Sequence, residues 1–142
     1  MANALGTATA LSGNANSLAS GSYVSLGVID FTSAPPHECL IEVSLQASAA
    51  TGGNKQAVIY LRDSVDGTNF SVAPSSTDAV NSRLLGVLSL PDTTARRSLG
   101  FPVSPLFAGA LPQKVEVYVF NDCGVALAAA SQTGQYRTET FG

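Results

Sequence analysis

From residue 22 onward apolar and polar positions alternate with a period of two, the spacing of a strand and not of a helix. In SYVSLGVIDF, Tyr23, Ser25, Gly27 and Ile29 fall on one side and Val24, Leu26, Val28 and Asp30 on the other. Both sides carry apolar groups, which predicts a strand covered on both faces. Pro35 and Pro36 end it, because neither can donate to a ladder. The clearest one-faced alternation follows in CLIEVSLQASA, where Ile41, Val43, Leu45 and Ala47 oppose Leu40, Glu42, Ser44 and Gln46. ATGGNK then supplies turn chemistry, with Gly52 and Gly53 free to take positive φ, and predicts a hairpin from that strand into QAVIYLRDS.

Further along, PSSTDAVNS at 74–82 reads as a polar connection, RLLGVLSL as a short strand ended by Pro91, and DTTARR as a turn. RRSLGFPVSPLFAGALPQ carries Pro102, Pro105 and Pro112, so any strand there lies at a sheet edge or crosses irregularly. KVEVYVF sets Val115, Val117 and Val119 against Lys114, Glu116, Tyr118 and Phe120. NDCG is a turn, with Asn121 or Gly124 at positive φ. VALAAASQT and QYRTETF each fit a further strand, and VALAAA fits a short helix equally well. About six to eight short strands with no long helical period predict an all-β fold, a jelly-roll-like β-sandwich.

The first twenty residues break this pattern. MANALGTATALSGNANSLAS is Ala, Ser, Gly, Asn and Thr with three leucines, a composition with little to bury and much backbone entropy to lose. It predicts an extended N-terminal arm over 1–20, followed by one domain over 21–142. Leu5, Leu11 and Leu18 are the arm's only large apolar groups and its candidate partner contacts.

Composition sharpens the picture in one respect. Charged residues are 12% of the 142 against 45% hydrophobic, about half the usual charged share. Interfaces are depleted in Lys, Glu and Asp, so a surface of this kind suits coverage by other protein. A net charge of -3 with seven Lys and Arg provides no basic footprint for phosphates, and no nucleic-acid partner is expected. Arg96 and Arg97, the adjacent basic pair, are candidate surface contacts. Residues 1–20 lack the basic and apolar regions of a secretory signal, and no segment approaches a membrane span. No membrane partner is therefore expected, and synthesis in the cytosol is.

Candidate chemistry is sparse. In DSVDGTNFS, Ser64 has no base in sequence reach, and Asp63 with Asp66 lack the further ligands of a calcium loop. Asp66-Gly67 reads instead as a turn. His37, Cys39 and Cys123 do not have zinc spacing, and no metal, cofactor or catalytic residue is expected. The two cysteines read as reduced and small-apolar, with a disulfide as the alternative. Tyr60, Tyr118 and Phe120 offer an aromatic platform or ordinary sheet packing, and Tyr136 belongs to the same question.

QAVIYLRDSVDGTNFS and SPLFAGALPQKVEVYVFNDCGVAL together resemble small structural proteins of tailed bacteriophages. The residues that carry the resemblance are Ser64, Asp66, Gly67, Thr68, Asn69 and Phe70, then Leu111, Pro112, Val115, Val117, Val119, Asn121, Gly124 and Leu127. The N-terminal arm and the proline-rich crossing have no counterpart in it. The resemblance implies a decoration or cement protein. Such a protein is not an enzyme; it is assembled into the virion in the host cytoplasm, bound to the major capsid protein or another virion protein, often as a homotrimer. A tail or fibre component, or a carbohydrate-binding module, is the alternative.

Overall fold

The computed structural model describes residues 3–75, 82–91 and 94–141, with the backbone alone at 3–5 and 141. Among the described residues there are nine strands: β1 (Asn3–Leu5), β2 (Thr9–Ala10), β3 (Tyr23–Asp30), β4 (Glu38–Leu45), β5 (Gln56–Ser64), β6 (Arg83–Ser89), β7 (Arg97–Pro102), β8 (Lys114–Asp122) and β9 (Thr133–Phe141). A single 3-10 turn at Ser104–Phe107 is the only helical element among the described residues.

The strands form two antiparallel sheets. One is ordered β1-β9-β4-β7, with β2 also on β9, and the other β3-β8-β5-β6. Apart from β1 to β2 and β5 to β6, every step along the chain passes to the other sheet. The inward rows are those the alternation marks: Ile41, Val43 and Leu45 of β4, Ala57, Ile59 and Leu61 of β5, and Val115, Val117 and Val119 of β8. They belong to one buried cluster fed by both sheets. Each such side chain contributes about 1.5–3 kcal/mol by leaving water.

Four expectations change. ATGGNK does not close a hairpin, because β4 and β5 lie in different sheets. After β4, Ala47 bridges Leu127 and Gly52 N–H donates to the Cys123 carbonyl at 2.8 Å, so the glycines turn the chain from one sheet to the other. Second, β3 is not covered on both faces. Its pairing with β8 slips between Ser25 and Gly27, where Gly27 takes φ +127. The slip reverses the parity, so Leu26 and Ile29 both point inward while Val28 faces out. Third, VALAAA is neither helix nor strand; only Leu127 pairs, in the bridge to Ala47. Fourth, Asn121 lies inside β8 and not in the turn, whereas Gly124 takes the positive φ, +85.

The proline-rich crossing behaves as its prolines require. Pro102 ends edge strand β7, Pro105 sits in the 3-10 turn, and Pro112 precedes β8. Residues 76–81 of the polar connection, and Asp92 and Thr93 of the DTTARR turn, lie outside the described residues.

The N-terminal residues run along the domain. β1 and β2 pair with β9, and Leu11 and Ala15 N–H then donate to the Gly134 and Gln132 carbonyls at 2.9 and 2.8 Å. Between them Gly13 N–H donates to the Leu26 carbonyl on the β3 bulge at 2.7 Å. Residues 11–15 thus stitch one sheet to the other. A Cβ on Gly13 would stand 2.7 Å from the Ser25 carbonyl oxygen, so only glycine fits this approach.

Candidate functional surface

The inward rows of β3, β5 and β8 make the core, and by the same alternation their other rows face outward. Register sets Tyr23 opposite Phe120, Val58 opposite Phe120 and Tyr60 opposite Tyr118. The Tyr23 ring stacks on Phe120 with centroids 4.5 Å apart and lies 6.0 Å from Tyr60. These half-buried rings cover Val58, leaving it 8% exposed. Val87 and Leu84 of β6 extend the apolar area to the edge, at 42% and 52% exposure.

The face has two polar ends. At one, the Arg62 guanidinium lies between the rings of Phe70 and Tyr118, 4.8 and 5.8 Å from their centroids, and pairs with Glu116 at 2.5 Å. Ser25 Oγ donates to the other Glu116 oxygen at 2.7 Å. At the opposite end, Asn54 Nδ2 and Gln56 Nε2 both donate to Asp122 Oδ2, at 2.8 and 3.3 Å. Burial, then Tyr60 and Asp122, push the Tyr23 hydroxyl above its ordinary pKa. Burial and Glu116 do the same to Tyr118. Both remain neutral phenols at pH 7.

The outer face of the other sheet is polar. A shallow depression of about 260 Å³ opens over Gly100, between Leu40, Glu42, Gln135 and Arg137, with Gln135 Nε2 donating to Glu42 at 2.8 Å.

The residues singled out in the sequence are scattered. Asp66 accepts from the Thr68 and Asn69 N–H groups, each at 2.8 Å, and Gly67 takes φ +82. The pair makes a turn, and the Asn69 and Thr68 amides hold the Asp66 carboxyl far below its usual range. Ser64 Oγ donates to Asp66 Oδ1 at 3.1 Å, as part of the same turn. Asn121 is buried; its Nδ2 donates to the Leu18 and Val125 carbonyls, both at 2.8 Å, so it ties the N-terminal segment to β8. Leu11 is buried and Leu18 packs against the core, so both spend their apolar surface within this chain. The Leu5 side chain lies outside the described residues. Arg96 donates to the Ser44 and Ser131 carbonyls and to the Gln46 side chain while staying exposed, and Arg97 is likewise exposed on β7. His37 lies 3.7 Å from Glu139, and both cysteines are free and buried.

Tyr136 faces inward against the core and takes no part in the aromatic face. Tyr23, which joins that face from edge strand β3, is not marked as an aromatic candidate in the sequence. Only its register with Phe120, across more than ninety residues of chain, reveals it. Among the described residues no group of three His, Cys, Asp or Glu side chains gathers as a metal site, and no helix is long and apolar enough to cross a membrane. No family model matches the chain, and no curated protein is similar to it.

Proposed function

We propose that this chain is a non-enzymatic virion structural protein of a tailed bacteriophage, a jelly-roll β-sandwich of the decoration or cement type that docks on the capsid shell. The strand order carries the reading. Each sheet pairs strands remote in sequence, first with ninth and third with eighth. Such pairing supports reading the fold as the interleaved double Greek key that capsid and lectin domains use. The weakly charged surface fits burial against protein, since few charges must be desolvated on docking.

The partner in this reading is the major capsid protein or another virion protein, and the chain associates with itself as a trimer. Attachment runs along the β1-β2 side. There the outermost strands offer unpaired main-chain groups that can extend a neighbouring sheet. Repetition of that contact over a symmetric shell raises the effective affinity without a new contact type.

Deleting residues 2–8 removes β1 and spares Leu11 and Ala15, which are core. The truncated chain is expected to fold, with unchanged circular dichroism, and to show reduced occupancy on purified particles. Unchanged occupancy would sink this mode of attachment.

A further inference from the structure

We propose that the outer face of the β3-β8-β5-β6 sheet binds an uncharged glycan, with Tyr23, Phe120 and Tyr60 as the stacking platform. The inference stands on the face itself and does not require a place in a particle.

Cross-strand packing accounts for the stack of Tyr23 on Phe120, but not for the polar groups around it. Among the described residues the Tyr23 and Tyr60 hydroxyls make no hydrogen bond, although Tyr23 feels both Tyr60 and Asp122. The Asn54 and Gln56 amides converge on one oxygen of Asp122, which leaves Oδ1 to accept. A cluster of tilted aromatic rings, 26° and 40° between neighbours, ringed by phenol, carboxylate and amide groups, is complementary to a pyranose. The ring's C–H face carries partial positive charge and meets the negative face of the arenes, while its hydroxyls both donate and accept.

Size and charge select this occupant over others. Four strands about 4.8 Å apart, of seven to nine residues each at about 3.3 Å per residue, make a face on the order of 500 Å². A stable protein contact buries about 800 Å² per partner, so the face is too small for a second copy and large enough for a short oligosaccharide. Its basic side chains are paired, Arg62 with Glu116 and Lys114 with Asp30, while the Asp122 carboxylate is held by amides. Among the described residues this face holds no unpaired cation for an acidic sugar, and the net charge of -3 repels one.

The full chain serves for the test. It has four tyrosines and no tryptophan, so tyrosine fluorescence reports on a face that holds three of the four. Titration uses cellohexaose, maltohexaose and the hexamer of N-acetylglucosamine, with heparin as the charged counterpart, alongside 15N chemical-shift mapping. At least one neutral hexamer is expected to saturate and to shift Tyr23, Tyr60 and Phe120. Tyr23→Ala should weaken binding tenfold or more, and Gln135→Ala on the opposite face should not. If Tyr23→Ala fails to fold, Tyr60→Phe removes one hydroxyl with the ring kept, and weaker binding is expected there too. Four results would overturn the proposal: no saturation by any neutral hexamer at millimolar concentration, tighter binding of heparin, shifts confined to other surfaces, or concentration-dependent self-association through this face.

Discussion

Glu38 sits at the start of β4 with both carboxylate oxygens turned back on its own chain. Oε1 accepts from the N–H groups of Cys39 and Ser104, each at 2.8 Å, and Oε2 accepts from Ser104 Oγ at 2.5 Å. It thereby pins the end of β7 and the 3-10 turn to β4. Burial alone would raise this carboxyl above its ordinary value, but the bonds from Ser104, Cys39 and Val103 outweigh it and the net shift is downward. As pH falls the unfolded chain takes up this proton first. The stabilisation is therefore complete above the ordinary carboxylate range and is lost as pH drops through the lower, folded value. Glu38→Gln is expected to cost about 1–3 kcal/mol at pH 7, because backbone donors lose their charged acceptor. In urea unfolding across pH, the gap between wild type and variant should close toward acid; Asp30 and Asp66, also shifted downward, are common to both proteins and cancel. A gap constant with pH would exclude this role. Gly86 makes a second case at this scale: a Cβ there would collide with the Phe101 ring. Gly86→Ala should cost about 1–3 kcal/mol by overpacking, and Phe101→Leu in the same chain should recover part of it, a coupling that a double-mutant cycle measures. Neither role is legible in the sequence, since Glu38 accepts from a residue 66 positions on and Gly86 meets a ring carried by the other sheet.

Elements were legible where burial is one-sided. β4 and β8 alternate cleanly because each has one face in the shared core, whereas β5 also buries Val58 on its outer face, and the bounds of all three follow the apolar spacing closely. β3 misleads because a bulge moves Leu26 and Ile29 to the same face, and an added residue cannot be seen in a period of two. The glycines of ATGGNK establish that the chain turns but not which strand it turns toward, and the partner is decided by the core. The N-terminal segment is the sharpest case. Its composition has little to bury, yet Leu11 and Ala15 fill gaps and backbone bonds to Gly134, Gln132 and Leu26 hold it in place. Those pairings join opposite ends of the chain and leave no local trace. Leu11→Ala should therefore cost about 2–5 kcal/mol, the range for a truncated core leucine, as measured by chemical denaturation. An exposed arm would lose almost nothing, so a change within a few tenths of a kcal/mol would return Leu11 to solvent.

At the scale of the molecule, the crossing of nearly every connection between sheets makes one prediction firm: neither sheet can unfold alone. Cys39 lies on β4 in one sheet and Cys123 just beyond β8 in the other, and both thiols are fully buried in the common cluster. Burial, followed by the Glu38 charge, pushes the Cys39 thiol up to about 12, so in the folded state it is neither exposed nor ionised and should be inert. Each thiol then becomes reactive only when the core opens. With Cys39→Ala and Cys123→Ala variants, each carrying one thiol, labelling by a disulfide reagent along a urea gradient should follow the circular-dichroism transition of that same variant. The two labelling curves should also coincide once each is referred to its own unfolding midpoint. A thiol that reacts well before its global transition would mean that its sheet opens separately, and the shared core would then be two cores. Coincidence carries a further consequence, because the N-terminal segment enters the shared core only from Leu11 onward, beyond β1 and β2. Removal of residues 2–8 should lower the midpoint slightly and leave the steepness of the transition unchanged, since the surface exposed on unfolding sets that slope.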